Sequence, residues 1–253
     1  HYGANLVSVG FVVHLNYENP YLSPYGEFQR FKTHPVIRDT FAGGKRIAYG
    51  ARALTEGGFQ AIPRLAFPGG ALIGCAAGFM NVPRIKGSHN AMLSGMMAAE
   101  AAFAAIEAGR SRDVLEAYPE SVQTSSMAKE LRRVRNVKPL WSRFGTRAGV
   151  MLGGIDMWLN TFFPFLRHTL KHTKPDYATL KKAAEVKPIE YEKPDGVITF
   201  DILSSVFLSG TNHAENQPVH LRLADPSIPI GHNLPDYAEP AQRYCPAQVY
   251  EVV

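Results

Sequence analysis

The apolar positions at the start of the chain come in short β-branched runs. Val7, Val9, Phe11, Val12 and Val13 predict a strand within residues 5–15, and Arg46 to Tyr49 a shorter one. Gly43-Gly44, Gly57-Gly58 and Pro68-Gly69-Gly70 separate these runs with turns. Ala71-Leu72-Ile73 predicts another strand, which feeds a loop over residues 74–87. The period then changes. Met92, Met96, Ala99, Phe103 and Ile106 recur at steps of four and three, predicting a helix that buries this stripe. Ser88 is placed as its N-cap and Gly109 as its C-terminal cap. A charged helical stretch follows at roughly 113–135. Beyond about residue 175, proline-rich loops join short elements, among them an alternating strand, Val219-His220-Leu221-Arg222-Leu223.

Residues 148–166 break the pattern, being mostly apolar yet carrying Asp156, Asn160 and Pro164. Arg143 and Arg147 flank them on one side, and Arg167, His168, Lys171 and Lys174 on the other. Crossing a bilayer takes about 20 apolar residues. A central Asp costs roughly 2.5–3.5 kcal/mol there, and Pro164 interrupts a helix. Basic flanks suit a segment lying in the interface, so the reading is monotopic insertion, with a buried hairpin of a soluble domain as the alternative. His168 and His172 stand four apart, as helical metal ligands do. Without Glu or Cys in register, they read as solvated or headgroup-contacting surface residues.

Composition narrows the function class. With 45% hydrophobic and 11% aromatic residues, the 253-residue chain is expected to pack as one or two domains. The net charge of +5 suits a membrane surface or an acidic partner. No dense Lys/Arg run interleaves with aromatics, so nucleic-acid binding is not supported. Cys75 and Cys245 are too few for a disulfide framework and point to a reducing compartment. His1 opens the chain with neither an initiator Met nor a leader, so the expectation is a start inside a fold.

Two segments carry chemistry. The loop reads Gly74-Cys75-Ala76-Ala77-Gly78-Phe79-Met80-Asn81-Val82-Pro83-Arg84-Ile85-Lys86-Gly87-Ser88 and opens an apolar helix. Its glycines let backbone N–H groups approach a ligand, and the helix start offers partial positive charge. A loop of this shape holds the ribityl chain and pyrimidine end of the flavin in dinucleotide-binding FAD enzymes. A connection whose glycines serve only tight turns would look the same. Cys245-Pro246 is the second, since Cys followed by Pro is common among iron–sulfur ligands. One thiolate cannot hold a cluster, and a small buried thiol is the plain alternative.

Longer strings extend these signals: Asn19-Pro20-Tyr21-Leu22-Ser23-Pro24, residues 42–58, residues 74–95, Lys193-Pro194-Asp195-Gly196, Leu208-Ser209-Gly210-Thr211-Asn212-His213 and Arg243-Tyr244-Cys245-Pro246-Ala247. Together they resemble the electron transfer flavoprotein–ubiquinone oxidoreductases, and the likeness covers nearly the whole chain. The resemblance implies an α/β to α+β fold, the C-terminal part of an FAD-binding, dinucleotide-type flavoprotein, cut at both ends. It adds a mixed-sheet quinone-binding region, a monotopic membrane segment and an incomplete ferredoxin-like cluster domain. The implied boundaries are 1–70 for part of the ubiquinone domain, 71–136 for the FAD part, 137–174 for the membrane-associated helical segment and 175–253 for the cluster part.

The activity implied is that of an electron-transferring-flavoprotein dehydrogenase, taking electrons from reduced electron transfer flavoprotein to ubiquinone through FAD and a [4Fe–4S] cluster. The chemistry belongs to the cofactors, so no catalytic acid, base or nucleophile is assigned. FAD would be held by Gly74, Cys75, Gly78, Asn81, Lys86, Gly87 and Ser88. Related flavoproteins often carry Asp at the Cys75 position, so Cys75 is expected to pack beside the flavin and not to act as a redox thiol. Cys245 would be the first cluster ligand, with a C-x-x-C-x-x-C group following downstream. Tyr250 is a candidate to hydrogen-bond the cluster. The quinone pocket is expected to draw on strands before residue 40. By itself the chain is expected to hold no cluster and not to turn over. The setting implied is a bacterial cytoplasmic membrane or the matrix face of a mitochondrial inner membrane, in one leaflet. Rival readings are a cluster-free flavin reductase of the geranylgeranyl-reductase type and a membrane-docked, non-enzymatic module.

Overall fold

A computed structural model describes residues 2–165, 168–218 and 221–252. The chain divides into two compact units. Unit 1 comprises His1–Arg52 with Lys174–Val253, and unit 2 is Ala53–Thr173. The described residues are mostly helical and contain one two-stranded sheet.

Unit 2 opens with a hairpin, β1 (Ala66–Phe67) and β2 (Gly70–Ala71), paired antiparallel as Ala66 to Ala71 and Phe67 to Gly70. Pro68 and Gly69 make its turn, with Gly69 at φ +78°, where a side chain would be strained. Helix α2 (Ser88–Glu107) follows, then α3 (Ala117–Thr124) and α4 (Ser126–Arg133). The single helix predicted near 113–135 is thus two. Ser125 turns extended between them and caps α4, its Oγ accepting from the N–H of Ala128. The core gathers Leu65, Ala77, Phe79, Tyr118, Val122, Met127 and Leu131, with Leu93, Met97, Ala98 and Ala101 of α2 against it. Tyr118 is fully buried and donates to the carbonyl of Leu72 at 2.7 Å; burial pushes its pKa up to about 12.

Helix α2 corrects the sequence reading twice. The packed stripe is not the predicted one: Met92, Met96, Phe103 and Ile106 are exposed, and Asn90, Ser94 and Ala105 are buried. The helix is apolar on both sides, so the period alone could not choose between them. Ser88 is the first helical residue, and the N-cap position belongs to Gly87, with no side-chain cap bond. The far end does match. Gly109 sits at φ +68°, the N–H of Arg110 bonds the carbonyl of Ala105, and that of Gly109 bonds Ile106.

Helix α5 (Val137–Phe162) covers most of the segment read as membrane-inserted, with a kink at Gly145. Two of its polar residues turn inward, whereas Arg143, Thr146, Arg147 and Thr161 stay exposed. Asp156 and Asn160 are buried, whereas Met151, Ile155, Trp158 and Phe162 are exposed. Asp156 receives hydrogen bonds from Asn136 and Asn160 and lies 2.8 Å from His168 Nε2. His172 Nε2 lies 2.6 Å from the carbonyl of Gly57. Residues 168–173 are not helical, so the two histidines share no helix face, and both are tied to the fold. Leu166 and Arg167 lie outside the described residues. No described helix is long and apolar enough to cross a membrane.

Unit 1 is built around α1 (Pro24–Lys32), capped by Ser23, whose Oγ accepts from the N–H of Gly26. Tyr191 accepts from the N–H of Ser23 and donates to Glu27, holding the distant segment onto the cap. Asp195 Oδ1 accepts the N–H groups of Val197, Ile198 and Thr199, which hold its carboxyl well below the usual range. Asp201 caps α6 (Ile202–Phe207), and the guanidinium of Arg46 lies 4.1 Å from the Phe200 ring. Two short helices, α7 (Leu234–Tyr237) and α8 (Ala241–Tyr244), lead to Cys245.

The predicted strands at 5–15, 46–49 and 221–223 are absent from the described residues; only an isolated bridge, Tyr2 to Leu6, forms. A strand persists only beside a hydrogen-bonding neighbour, and beyond that bridge no described segment pairs with these runs. Val219 and His220, part of the last prediction, lie outside the described residues.

Candidate functional site

The predicted flavin loop folds as one ordered segment of unit 2. Residues Gly74–Ala77 form a single 3₁₀ turn closed by Gly78 in the left-handed region, at φ +78°. Gly74 itself has φ +54°, and a Cβ there would stand 3.0 Å from that of Ala91 on α2. The N–H of Gly74 donates to Ser94 Oγ at 3.0 Å, and Ser94 is fully buried. Glycine is thus required twice over at position 74, for conformation and for the close approach of α2.

Cys75 is exposed, and its Sγ accepts from the N–H of Thr55 at 3.4 Å. Asn81 is buried and forms a two-residue bridge with Lys86, its N–H donating to the Lys86 carbonyl at 2.9 Å. The turn between them places Ile85 at φ +52°, and the N–H of Arg84 donates to Asn81 Oδ1. Lys86 and Ser88 are exposed and Gly87 is half-buried. The structure therefore gathers Gly74, Cys75, Gly78, Asn81, Lys86, Gly87 and Ser88 around the start of α2, with Gly74, Gly78 and Asn81 as buried support.

Three observations fit this segment to a flavin. The backbone at Gly74 and Gly78 has no room or no tolerance for side chains. Helix α2 begins without a side-chain cap, leaving first-turn N–H groups for an electron-rich ligand. Asn90, fully buried, donates to the Phe79 carbonyl at 2.9 Å and has an Oδ1 without a partner. Sequence reading gave no role to Thr55, Asn90, Ser94 and Glu130, which build the loop from outside; the first three lie within the strings 42–58 and 74–95, and Glu130 lies in none.

Cys245 belongs to unit 1 and is a buried, free thiol. Its N–H donates to the Ala241 carbonyl, and its own carbonyl accepts from the N–H of Gln248. Tyr49 donates to the carbonyl of Pro246 at 3.1 Å. Tyr250 is 40% exposed. No group of three or more potential metal ligands forms among the described residues.

Comparison with known proteins reaches the Cys245 segment through a family model and the whole chain through relatives. Residues 196–253 match the family described as electron transfer flavoprotein–ubiquinone oxidoreductase, 4Fe-4S, and residues 1–54 that described as ETF-QO, ubiquinone-binding. The chain is 54% identical, over all its length, to 46% of the electron transfer flavoprotein–ubiquinone oxidoreductase of Pseudomonas aeruginosa. It is 54% identical to the human mitochondrial enzyme of that name, with 99% of this chain and 41% of that one aligned. The Dictyostelium discoideum mitochondrial enzyme is 48% identical, with 98% of this chain and 43% of that one aligned. The chain thus spans less than half the length of these relatives, and it belongs to the electron transfer flavoprotein–ubiquinone oxidoreductase family.

Proposed function

We propose that this chain is part of an enzyme that accepts electrons from reduced electron transfer flavoprotein and reduces ubiquinone. The observation that carries this reading is the 54% identity, across nearly the whole chain, to enzymes bearing that name. The ordered loop at Gly74 and the buried Cys245 agree with it. FAD and a [4Fe–4S] cluster, when bound, supply the electron transfer. The chain's own residues bind and orient. Gly74 and Gly78 would let backbone approach the flavin, the start of α2 would offer it N–H groups, and the exposed Lys86 and Ser88 would be available to it. Cys75 would pack against it. Cys245 would give the cluster one thiolate, with Tyr49 fixing the Pro246 carbonyl and Tyr250 close by in sequence.

Residues 1–70 are assigned to the ubiquinone-binding part, 71–136 to the FAD part, 137–174 to membrane docking and 175–253 to the cluster part. The α/β character and the mixed sheet belong, on this reading, to the larger protein. Helix α5 supports monotopic docking, since its exposed face carries Met151, Ile155, Trp158 and Phe162 and its acidic residue is turned inward. The same reading places the enzyme at a bacterial cytoplasmic membrane or the matrix face of a mitochondrial inner membrane.

The test is the visible spectrum of the full-length protein in detergent, before and after chemical reduction. Flavin bands over a broad iron–sulfur shoulder, both bleached on reduction, are expected. Flavin bands alone would move the protein to a cluster-free reductase, and a colourless protein would sink the oxidoreductase reading.

A further inference from the structure

Glu130 stands on α4, outside the loop, yet two of the loop's side chains and one from the start of α2 converge on it. Asn81 Nδ2 donates to Glu130 Oε1 at 2.5 Å, and Arg84 Nη1 stands 3.5 Å from the same oxygen. His89 Nε2 lies 3.5 Å from Oε2. Asn81 precedes the turn, Arg84 lies in it and His89 belongs to the first turn of α2, so one carboxylate spans the whole segment. Its side chain is only 27% exposed, which strengthens each of these contacts relative to open water.

We propose that Glu130 is the positioning residue of the flavin loop. It fixes residues 81–89 against α4 and offsets the Arg84 charge beside the flavin, an inference that rests on the flavin reading above. Two consequences are separable. Removing the hydrogen bond loosens the loop and weakens FAD. Removing the negative charge alone leaves Arg84 unopposed, which favours the more negative, reduced flavin and raises its potential.

The test measures FAD affinity and flavin midpoint potential in the full-length protein for Glu130→Ala, Glu130→Gln and Glu130→Asp. Glu130→Ala should bind FAD about ten-fold more weakly, the size of one charge-assisted hydrogen bond. Glu130→Gln, close in shape and still able to accept from Asn81, should keep more FAD but titrate at a more positive potential. Glu130→Asp should restore the wild-type potential in part. Wild-type affinity in Glu130→Ala together with wild-type potential in Glu130→Gln would overturn the proposal. So would FAD loss with no change of potential in the loaded fraction, because packing alone would explain it. If Glu130→Ala does not fold, Glu130→Gln decides by its potential. A wild-type protein that purifies without flavin would instead defeat the flavin reading itself.

Discussion

Asp156 Oδ1 lies 2.8 Å from His168 Nε2, and this contact holds the segment after α5 back against the helix. Asn136 completes the clasp, donating to Asp156 and accepting from the N–H of Leu170. Arg135 adds hydrogen bonds to the carbonyl of His168.

Asp156→Leu should therefore lower unfolding free energy by about 2–4 kcal/mol, because it strands buried amides that had a charged partner. Denaturant unfolding would measure it, and hydrogen exchange at the Leu170 amide should speed up in parallel. His168→Ala should cost less, under about 1 kcal/mol, since that ring is half exposed. Equal effects from the two would mean the clasp is held elsewhere.

At Gly74 the fold depends on a short chain of contacts with α2. Gly74→Ala should destabilise by about 1–2 kcal/mol through the left-handed backbone, with crowding against Ala91 added. Ser94→Ala should cost about 1–3 kcal/mol by stranding the buried Gly74 N–H. Because both act on one contact, the double variant should be less destabilised than the sum, which a double-mutant cycle would test.

Alkaline pH should first strengthen unit 1 and then weaken it. Burial, with Arg46 nearby, lowers the Lys32 amine to about 8 from an ordinary 10.5. Between those values the unfolded chain holds more protons than the folded one, so stability rises with pH across that window. Burial raises Tyr17, Tyr25, Tyr49, Tyr191 and Tyr244 above the usual 10.0. The unfolded chain loses those protons first, so stability falls above about pH 10. Denaturant midpoints should pass through a maximum, and Lys32→Met should remove the rising limb. A rise that survives in Lys32→Met would assign it to another group.

Docking through α5 predicts that Trp158→Ser with Phe162→Ser will weaken binding of the full-length protein to anionic phospholipid vesicles by about ten-fold or more. The two rings carry much of the exposed apolar face. Co-sedimentation would show it, and unchanged binding would direct attention away from this helix.

How much of this was legible in the sequence differs by residue. Gly74 and Gly78 announced a tight loop because glycine has few other reasons to recur there, and Gly109 announced a helix end. The strand expected around Val7 to Val13 was not realised, since β-propensity describes a side chain while a strand is a relation to a neighbour. Asp156 read as an obstacle to membrane insertion, and only the fold shows it facing inward to Asn136. Glu130, flanked by Lys129 and Leu131 in an ordinary helical stretch, carries no local mark of the contacts it makes with Asn81, Arg84 and His89.

Helix α2 presents Met92, Met96, Phe103 and Ile106 to water while its other side supports the core. Polar replacements at those four positions should change the stability of this chain by no more than about 0.5 kcal/mol each. A mutational screen scored on folding of these residues alone would then accept charge at some of the least polar positions in the sequence. The same screen in a protein of the relatives' length would read the face differently only if something covers it there, and α2 is where that comparison would be made.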